Sequence, residues 1–119
     1  MKRGPKRMPK DARPQAPAHL ASATAAWWRD VVATWDLDAH HVRLLTLAAE
    51  AFDRAVQARE ILNKRGLTFM DRFRQPKPRP ELAVERDSRI AFARLLRELD
   101  LDVSEPGDEQ RPPLLRRMR

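Results

Sequence analysis

The feature that most constrains this chain is a run without proline or glycine, from residue 39 to residue 65. Polar side chains recur within it every three or four positions, the spacing of one solvent-facing side of an α-helix. They are Arg43, Thr46, Glu50, Asp53, Arg54, Gln57, Glu60 and Lys64. Asp38 precedes the run as a helix cap, and Gly66 follows it where a left-handed turn can end a helix. We therefore predict one helix over Ala39 to Arg65.

The opposite face of this helix is rich in alanine, which allows another helix to approach closely. A helix of about 27 residues is about 40 Å long, and two shorter helices are expected to cover only part of it. The excess apolar surface predicts a contact between subunits of a homo-oligomer. Packing within one chain is the alternative. The residues expected at the contact are Ala48, Ala51, Ala55, Ala58 and Leu62.

Two shorter helical patterns flank the long one. The first carries an apolar face of Trp28, Val31, Val32 and Trp35, and Ser22 is a plausible N-cap for it. The other begins near Pro80, a residue type that suits the first turn of a helix, and runs to about Leu99. Glu85 is expected on its solvent side.

The segment between the second and third helices, residues 67–79, predicts a short strand or hairpin. Leu67, Phe69 and Phe73 fall on one face of an extended chain, and Pro76 and Pro78 keep the chain extended. The predicted fold class is therefore all-α, with three main helices, a short extended or hairpin segment and flexible basic termini.

Both ends of the chain predict flexible basic segments, because proline and charge there oppose helix formation and collapse. We expect a basic arm at 1–18, a helical core and oligomerisation domain at 19–103, and a basic tail at 104–119. Hydrophobic residues make up 42% of the chain and charged residues 34%. This composition supports a modest core under a strongly solvated surface.

The excess of positive charge predicts a polyanion partner, most often nucleic acid. The net charge is +7, and residues 1–14 hold six basic side chains against one acidic side chain. The central loop holds a second basic set. The candidate DNA-binding residues are Lys2, Arg3, Lys6, Arg7, Lys10, Arg13, Arg72, Arg74, Lys77 and Arg79. Solubilising disorder is the alternative interpretation of the arm.

Several function classes find no support in the sequence. The absence of cysteine excludes a disulfide framework and a cysteine nucleophile. The adjacent histidines His40 and His41 should point about 100° apart on a helix, which argues against a shared metal ion. No apolar run approaches the ~20 residues of a membrane span. We expect neither an enzyme nor a cofactor, a metal site or a membrane partner.

A series of short motifs follows a recognisable order along residues 3–103. The motifs are Arg3-Gly4-Pro5-Lys6, Pro17-x-His19-Leu20, A-x-W-W-R at 25–29, A-x-D-R-A-x-x-A at 51–58, K-R-G-L-T at 64–68 and R-L-L-R-E-L-D-L at 94–101. In order and spacing the chain resembles the small terminase subunits of tailed double-stranded-DNA phages and prophages. Family members often have a glycine-containing turn after the Gly-Leu-Thr segment, where this chain has residues 71–74.

The resemblance implies a non-enzymatic protein of a genome-packaging motor in the cytoplasm of a bacterial host. Such subunits bind viral DNA, assemble as rings of identical subunits, and recruit a large subunit that carries ATPase and nuclease activity. The C-terminal tail is the expected contact for that large subunit, because apolar residues there lie among prolines and arginines. The residues assigned to it are Leu114, Leu115, Arg116 and Arg117.

Two other hypotheses stay open on the sequence alone. One is a small DNA-binding regulator, monomeric or dimeric, that reads a groove with a helix; the balanced acids on the second and third helices disfavour it. The other is an adaptor whose basic tails meet an acidic protein.

Overall fold

The computed structural model describes residues 14–101 and confirms the predicted mainly helical fold. Helix α1 spans Ser22–Thr34, α2 spans Ala39–Arg65 and α3 spans Pro80–Leu99. Two short antiparallel strands, β1 at Thr68–Met70 and β2 at Pro76–Pro78, form a hairpin between α2 and α3. None of the described helices has the apolar stretch that a membrane-spanning segment requires.

The bounds of α2 follow from the residues just outside it. Asp38 occupies the N-cap, and its backbone N–H donates to Nδ1 of His41 at 3.2 Å. Gly66 ends the helix, and its N–H donates to the carbonyl of Leu62 at 2.8 Å. Its backbone has φ 87° and ψ 177°. The prediction of a left-handed turn is therefore wrong, because ψ lies outside the left-handed region. The positive φ still explains why glycine stands here.

The start of α1 differs from the prediction by one residue. Ala21, not Ser22, is the N-cap, and alanine has no side-chain acceptor for the free amides of the first turn. A carboxylate from α2 supplies one instead. Asp53 accepts from the Ala21 N–H at 2.8 Å and from the Thr24 hydroxyl at 2.6 Å. The cap of α1 thus comes from a residue far along the chain.

The core lies where all three helices meet. Trp28, Leu45 and Leu99, one from each helix, are its largest fully buried side chains. The indole N–H of Trp28 donates to the hydroxyl of Thr46 at 3.1 Å, so the ring buries its polar atom with a partner. Ala16, within the predicted arm, packs against this core.

The alanine face of α2 lies inside the chain, which corrects the predicted subunit contact. Ala48 is fully buried and Ala55 is 9% exposed. Ala58 and Leu62 are buried as well, and Ala51 is half-buried. Small side chains let α3 pack closely along α2, as alanine allows in any helix pair. The four buried residues stabilise the single chain and offer no free surface to a second subunit, and Ala51 offers only part of one.

Two acids that were expected on solvent faces are buried at helix–helix contacts. Asp53 caps α1, as described above. Glu85 of α3 is 7% exposed and accepts from Arg59 of α2, with its Oε2 2.7 Å from Nε and its Oε1 2.9 Å from the terminal Nη2. A buried carboxylate needs such a partner, and this two-pronged pair joins α2 to α3 next to the hairpin.

Candidate nucleic-acid interface

The hairpin places the central basic set on a defined scaffold. Its register pairs Thr68 with Pro78, Phe69 with Lys77 and Met70 with Pro76. The Asp71 N–H donates to the Gln75 carbonyl at 3.0 Å, and the Arg79 N–H donates to the Leu67 carbonyl at 2.9 Å. All six strand residues are exposed. The ribbon therefore has solvent on both faces.

The connection between the strands is a three-residue loop, Arg72-Phe73-Arg74, fixed by Asp71. One oxygen of its carboxylate accepts from the N–H groups of Phe73 at 2.8 Å and Gln75 at 2.9 Å. The Asp71 carbonyl accepts from the Arg74 N–H at 3.0 Å, which closes a β-turn. Arg74 has φ 60°, at the position where such loops usually have glycine. The loop is therefore tightly held.

Three of the four predicted cations of this segment are exposed on the hairpin, namely Arg72, Arg74 and Lys77. Arg79 differs from them: it is half-buried at the N-cap of α3, and its Nε has neither solvent nor a partner within the described residues. Residues 67–79 contain four basic side chains and one acidic side chain. The hairpin thus presents concentrated positive charge, and Arg79 contributes more to its base than to its exposed end.

The prolines of β2 make that edge of the hairpin a poor template for strand addition. The hydrogen bonds at Asp71–Gln75 and Leu67–Arg79 place Pro76 and Pro78 at non-hydrogen-bonded positions, so their nitrogens face away from β1. Proline has no N–H there, and the outer edge of β2 lacks two donors that an added strand needs. Backbone pairing at the β2 edge is therefore disfavoured, and the exposed side chains are the groups that this edge presents.

The other predicted site residues lie outside the described residues. These are the N-terminal cations Lys2, Arg3, Lys6, Arg7, Lys10 and Arg13, and the tail residues Leu114, Leu115, Arg116 and Arg117. The described chain begins at residue 14, and His19 then contacts Glu50 of α2, with Nε2 and Oε2 2.7 Å apart. The structure therefore fixes where the arm joins the helices.

The two adjacent histidines lie closer together than expected. The ring centroids of His40 and His41 are 4.0 Å apart, and donor atoms of both rings and of Asp38 lie within 4.8 Å of one another. The geometric argument against a shared ion is therefore wrong. His41 Nδ1, however, accepts the Asp38 N–H, and the positive end of a helix dipole disfavours a cation there. We assign no metal to this cluster.

Sequence reasoning missed the apolar surface that the chain leaves open. On the hairpin, Leu67, Met70 and Phe73 are all more than half exposed. Between the helices, Trp27, Phe52 and Phe92 line an open cleft of about 270 Å³. Phe52 is the one Phe, Trp or Tyr between residues 39 and 65. Its presence there was the sequence signal that could have predicted the cleft.

Comparison of the chain with protein-family models, with curated proteins and with solved structures finds no match.

Proposed function

We propose that this chain is a DNA-recognition subunit of a viral genome-packaging machine, with the role of a small terminase subunit. In this role it catalyses no reaction. It binds double-stranded DNA in the cytoplasm of a bacterial host, assembles as a ring of identical subunits and recruits a large subunit with ATPase and nuclease activity. The observation that carries the proposal is the rigid, exposed, basic hairpin. The order of motifs that resembles that family supports it.

The hairpin has the electrostatics of a phosphate-binding element. Arg72, Arg74 and Lys77 lie within six residues, and the nearest acid, Asp71, uses its carboxylate to hold the turn. Long basic side chains on a fixed turn can reach several phosphates without ordering the backbone first. Such contacts set affinity and position rather than base preference.

The arm and the hairpin join the helices at two separate points of α2. His19 contacts Glu50, which lies 15 residues before Arg65, where the hairpin connection begins. That interval corresponds to about 22 Å of helix, or about six base pairs of B-form DNA. One duplex is therefore long enough to contact both elements of the same subunit.

The test compares three variants with the wild type in duplex binding, measured by fluorescence anisotropy over a series of salt concentrations. One replaces Arg72, Arg74 and Lys77 with Ser, and one deletes residues 2–14. The matched control replaces Arg43, Arg94 and Arg97, which are exposed on helices, with Ser. It removes the same charge from other surfaces.

We expect the wild type to bind duplex DNA with strong salt dependence. The hairpin variant should weaken binding and lower the slope of log affinity against log salt by about 3, and the arm deletion should lower it by about 5. The control should change little. If the hairpin variant loses binding and the arm deletion does not, the arm is a solubilising tail. Equal losses in the control and the hairpin variant would refute the hairpin as a DNA site.

A further inference from the structure

The tip of the hairpin combines two properties that turns rarely share. Phe73 is 68% exposed, although turn positions usually carry small or polar residues. The side chains on both sides of it are arginines. In the free protein the Arg72 guanidinium lies over the Phe73 ring, with its Cζ 5.0 Å from the ring centroid. This cation–π contact covers part of the ring without burying it.

The residue after Phe73, Arg74, combines a strained backbone with a charged side chain. Arg74 has φ 60°, a left-handed conformation that costs a side chain about 1–2 kcal/mol. Glycine would relieve this cost, yet the chain places arginine here. Strained backbone positions are concentrated at functional sites, where another requirement outweighs the local cost. The property that arginine has here and glycine lacks is a positive charge, next in sequence to the exposed Phe73 ring.

The rest of the ribbon adds apolar surface. Alternation along the strands places Met70, Pro76 and Pro78 on one face of the hairpin and Phe69 and Lys77 on the other. Met70 is 61% exposed. Phenylalanine, methionine and proline are among the residues with which minor-groove proteins separate base steps.

We propose that the hairpin enters the minor groove of double-stranded DNA tip first, and that Phe73 acts as an apolar wedge that partly unstacks one base step and bends the duplex. The proposal rests on the proposed DNA-binding function. Arg72 leaves the ring, so that this cation and Arg74 both meet the negative potential of the groove and its phosphates. A single aromatic ring on a narrow turn suits the narrow groove, which is about 6 Å wide.

The alternative partner of an exposed apolar tip is another protein, which would receive the tip in a pocket. Charge favours DNA, because both neighbours of Phe73 are cations and the third exposed cation, Lys77, lies on the same hairpin. A wedge also explains the rigid turn, since the Asp71 carboxylate holds the Phe73 and Gln75 amides and keeps the ring extended from the ribbon.

The experiment measures bending and affinity separately, with the full chain and a duplex of about 30 base pairs labelled at both ends for energy transfer. Three variants are compared with the wild type. Phe73→Ala removes the wedge, and Phe73→Leu keeps a smaller apolar wedge. Arg74→Gly removes a charge and relieves the left-handed strain without removing the ring. Far-ultraviolet circular dichroism confirms that each variant is folded.

We expect the wild type to bring the duplex ends closer together. Phe73→Ala should abolish the bend in the saturated complex and weaken binding roughly ten-fold, with an unchanged salt slope. Phe73→Leu should keep most of the bend. Arg74→Gly should lower the salt slope by about one and leave the bend in place.

The outcomes separate the wedge from DNA binding itself. If Phe73→Ala bends the duplex as the wild type does, while substitution of the hairpin cations still weakens binding, the wedge is refuted and the proposed function stands. If the wild type binds no duplex, both fail. If Phe73→Ala keeps the bend but loses binding to a large terminase subunit, the tip is a protein contact and the wedge is refuted.

Discussion

Asp53 shows how much of this fold depends on single long-range contacts. The carboxylate lies on α2, is 9% exposed, and serves the amide of Ala21 and the hydroxyl of Thr24 at the start of α1. No residue next to α1 replaces it, because the N-cap is alanine. One side chain thus both caps a helix and fixes its position on its neighbour.

Substitution of Asp53 is expected to lower stability more than its place on a helix suggests. Asp53→Ala should reduce the free energy of unfolding by about 1–3 kcal/mol, since the buried Thr24 hydroxyl and the part-buried Ala21 amide lose their acceptor. The measurement is urea unfolding followed by circular dichroism. Asp30→Ala, an exposed position on α1, is the matched control and should stay within about 0.5 kcal/mol of the wild type. Equal stability of the two variants would show that water replaces the carboxylate.

The same residue marks the limit of what the sequence predicts. Helical spacing correctly identified the polar side of α2, but spacing does not reveal which neighbour packs against each part of that side. Helix α1 covers the polar side around Asp53, and α3 brings Glu85 to Arg59. The sequence shows only local capping motifs, and these predict Ser22 as the N-cap. The acceptor in the structure is Asp53, which lies 32 residues from Ala21 along the chain.

At the scale of elements, the hairpin is exposed on both faces and still avoids presenting two open edges. Its outer strand carries proline at both positions whose N–H groups would face outward. The alternation of proline with Lys77 therefore has a directional effect: it preserves the bonds to β1 and removes the two outward N–H donors of β2.

Replacing both prolines should turn the hairpin into an association site. In Pro76→Val with Pro78→Val, two outward N–H groups return on an exposed apolar strand, and we expect self-association at micromolar concentration, detected by light scattering. Lys77→Val is the control, because its N–H faces β1. Association of the control to the same extent would attribute the effect to hydrophobicity instead of to backbone donors.

The elements were more predictable than their packing. The bounds of α2 and the first residue of α3 match the prediction, because Asp38, Gly66 and Pro80 are strong local signals. The extended segment was predicted from Leu67, Phe69 and Phe73, but the exposure of Phe73 was not. Exposure depends on where the ribbon stands relative to the helices, and no local pattern records that.

At the scale of the whole molecule, burial of the alanine face changes what a mutation there tests. Ala55 is 9% exposed within one chain. Ala55→Glu should therefore destabilise the chain itself, because it places a charge and a larger side chain between packed helices. We expect a large drop in thermal stability and loss of helical signal at moderate temperature.

Gln57→Glu, exposed on the same helix, adds an equal charge and should melt like the wild type. Circular dichroism melting and light-scattering mass are measured on both variants. If Ala55→Glu is folded, melts like the wild type and has a lower mass, the alanine face is a subunit contact after all. The proposed ring otherwise requires another surface, and the aromatic cleft at Trp27, Phe52 and Phe92 is an open apolar one.

The unequal lengths of the helices have a mechanical consequence. Helix α1 has 13 residues against 27 in α2, and it meets α2 around Thr46 and Asp53. The molecule is therefore three helices thick around Trp28 and thinner towards the hairpin, where α2 and α3 continue together. If the hairpin binds DNA as proposed, a load applied at Phe73 reaches the two-helix end of the molecule before it reaches the core around Trp28.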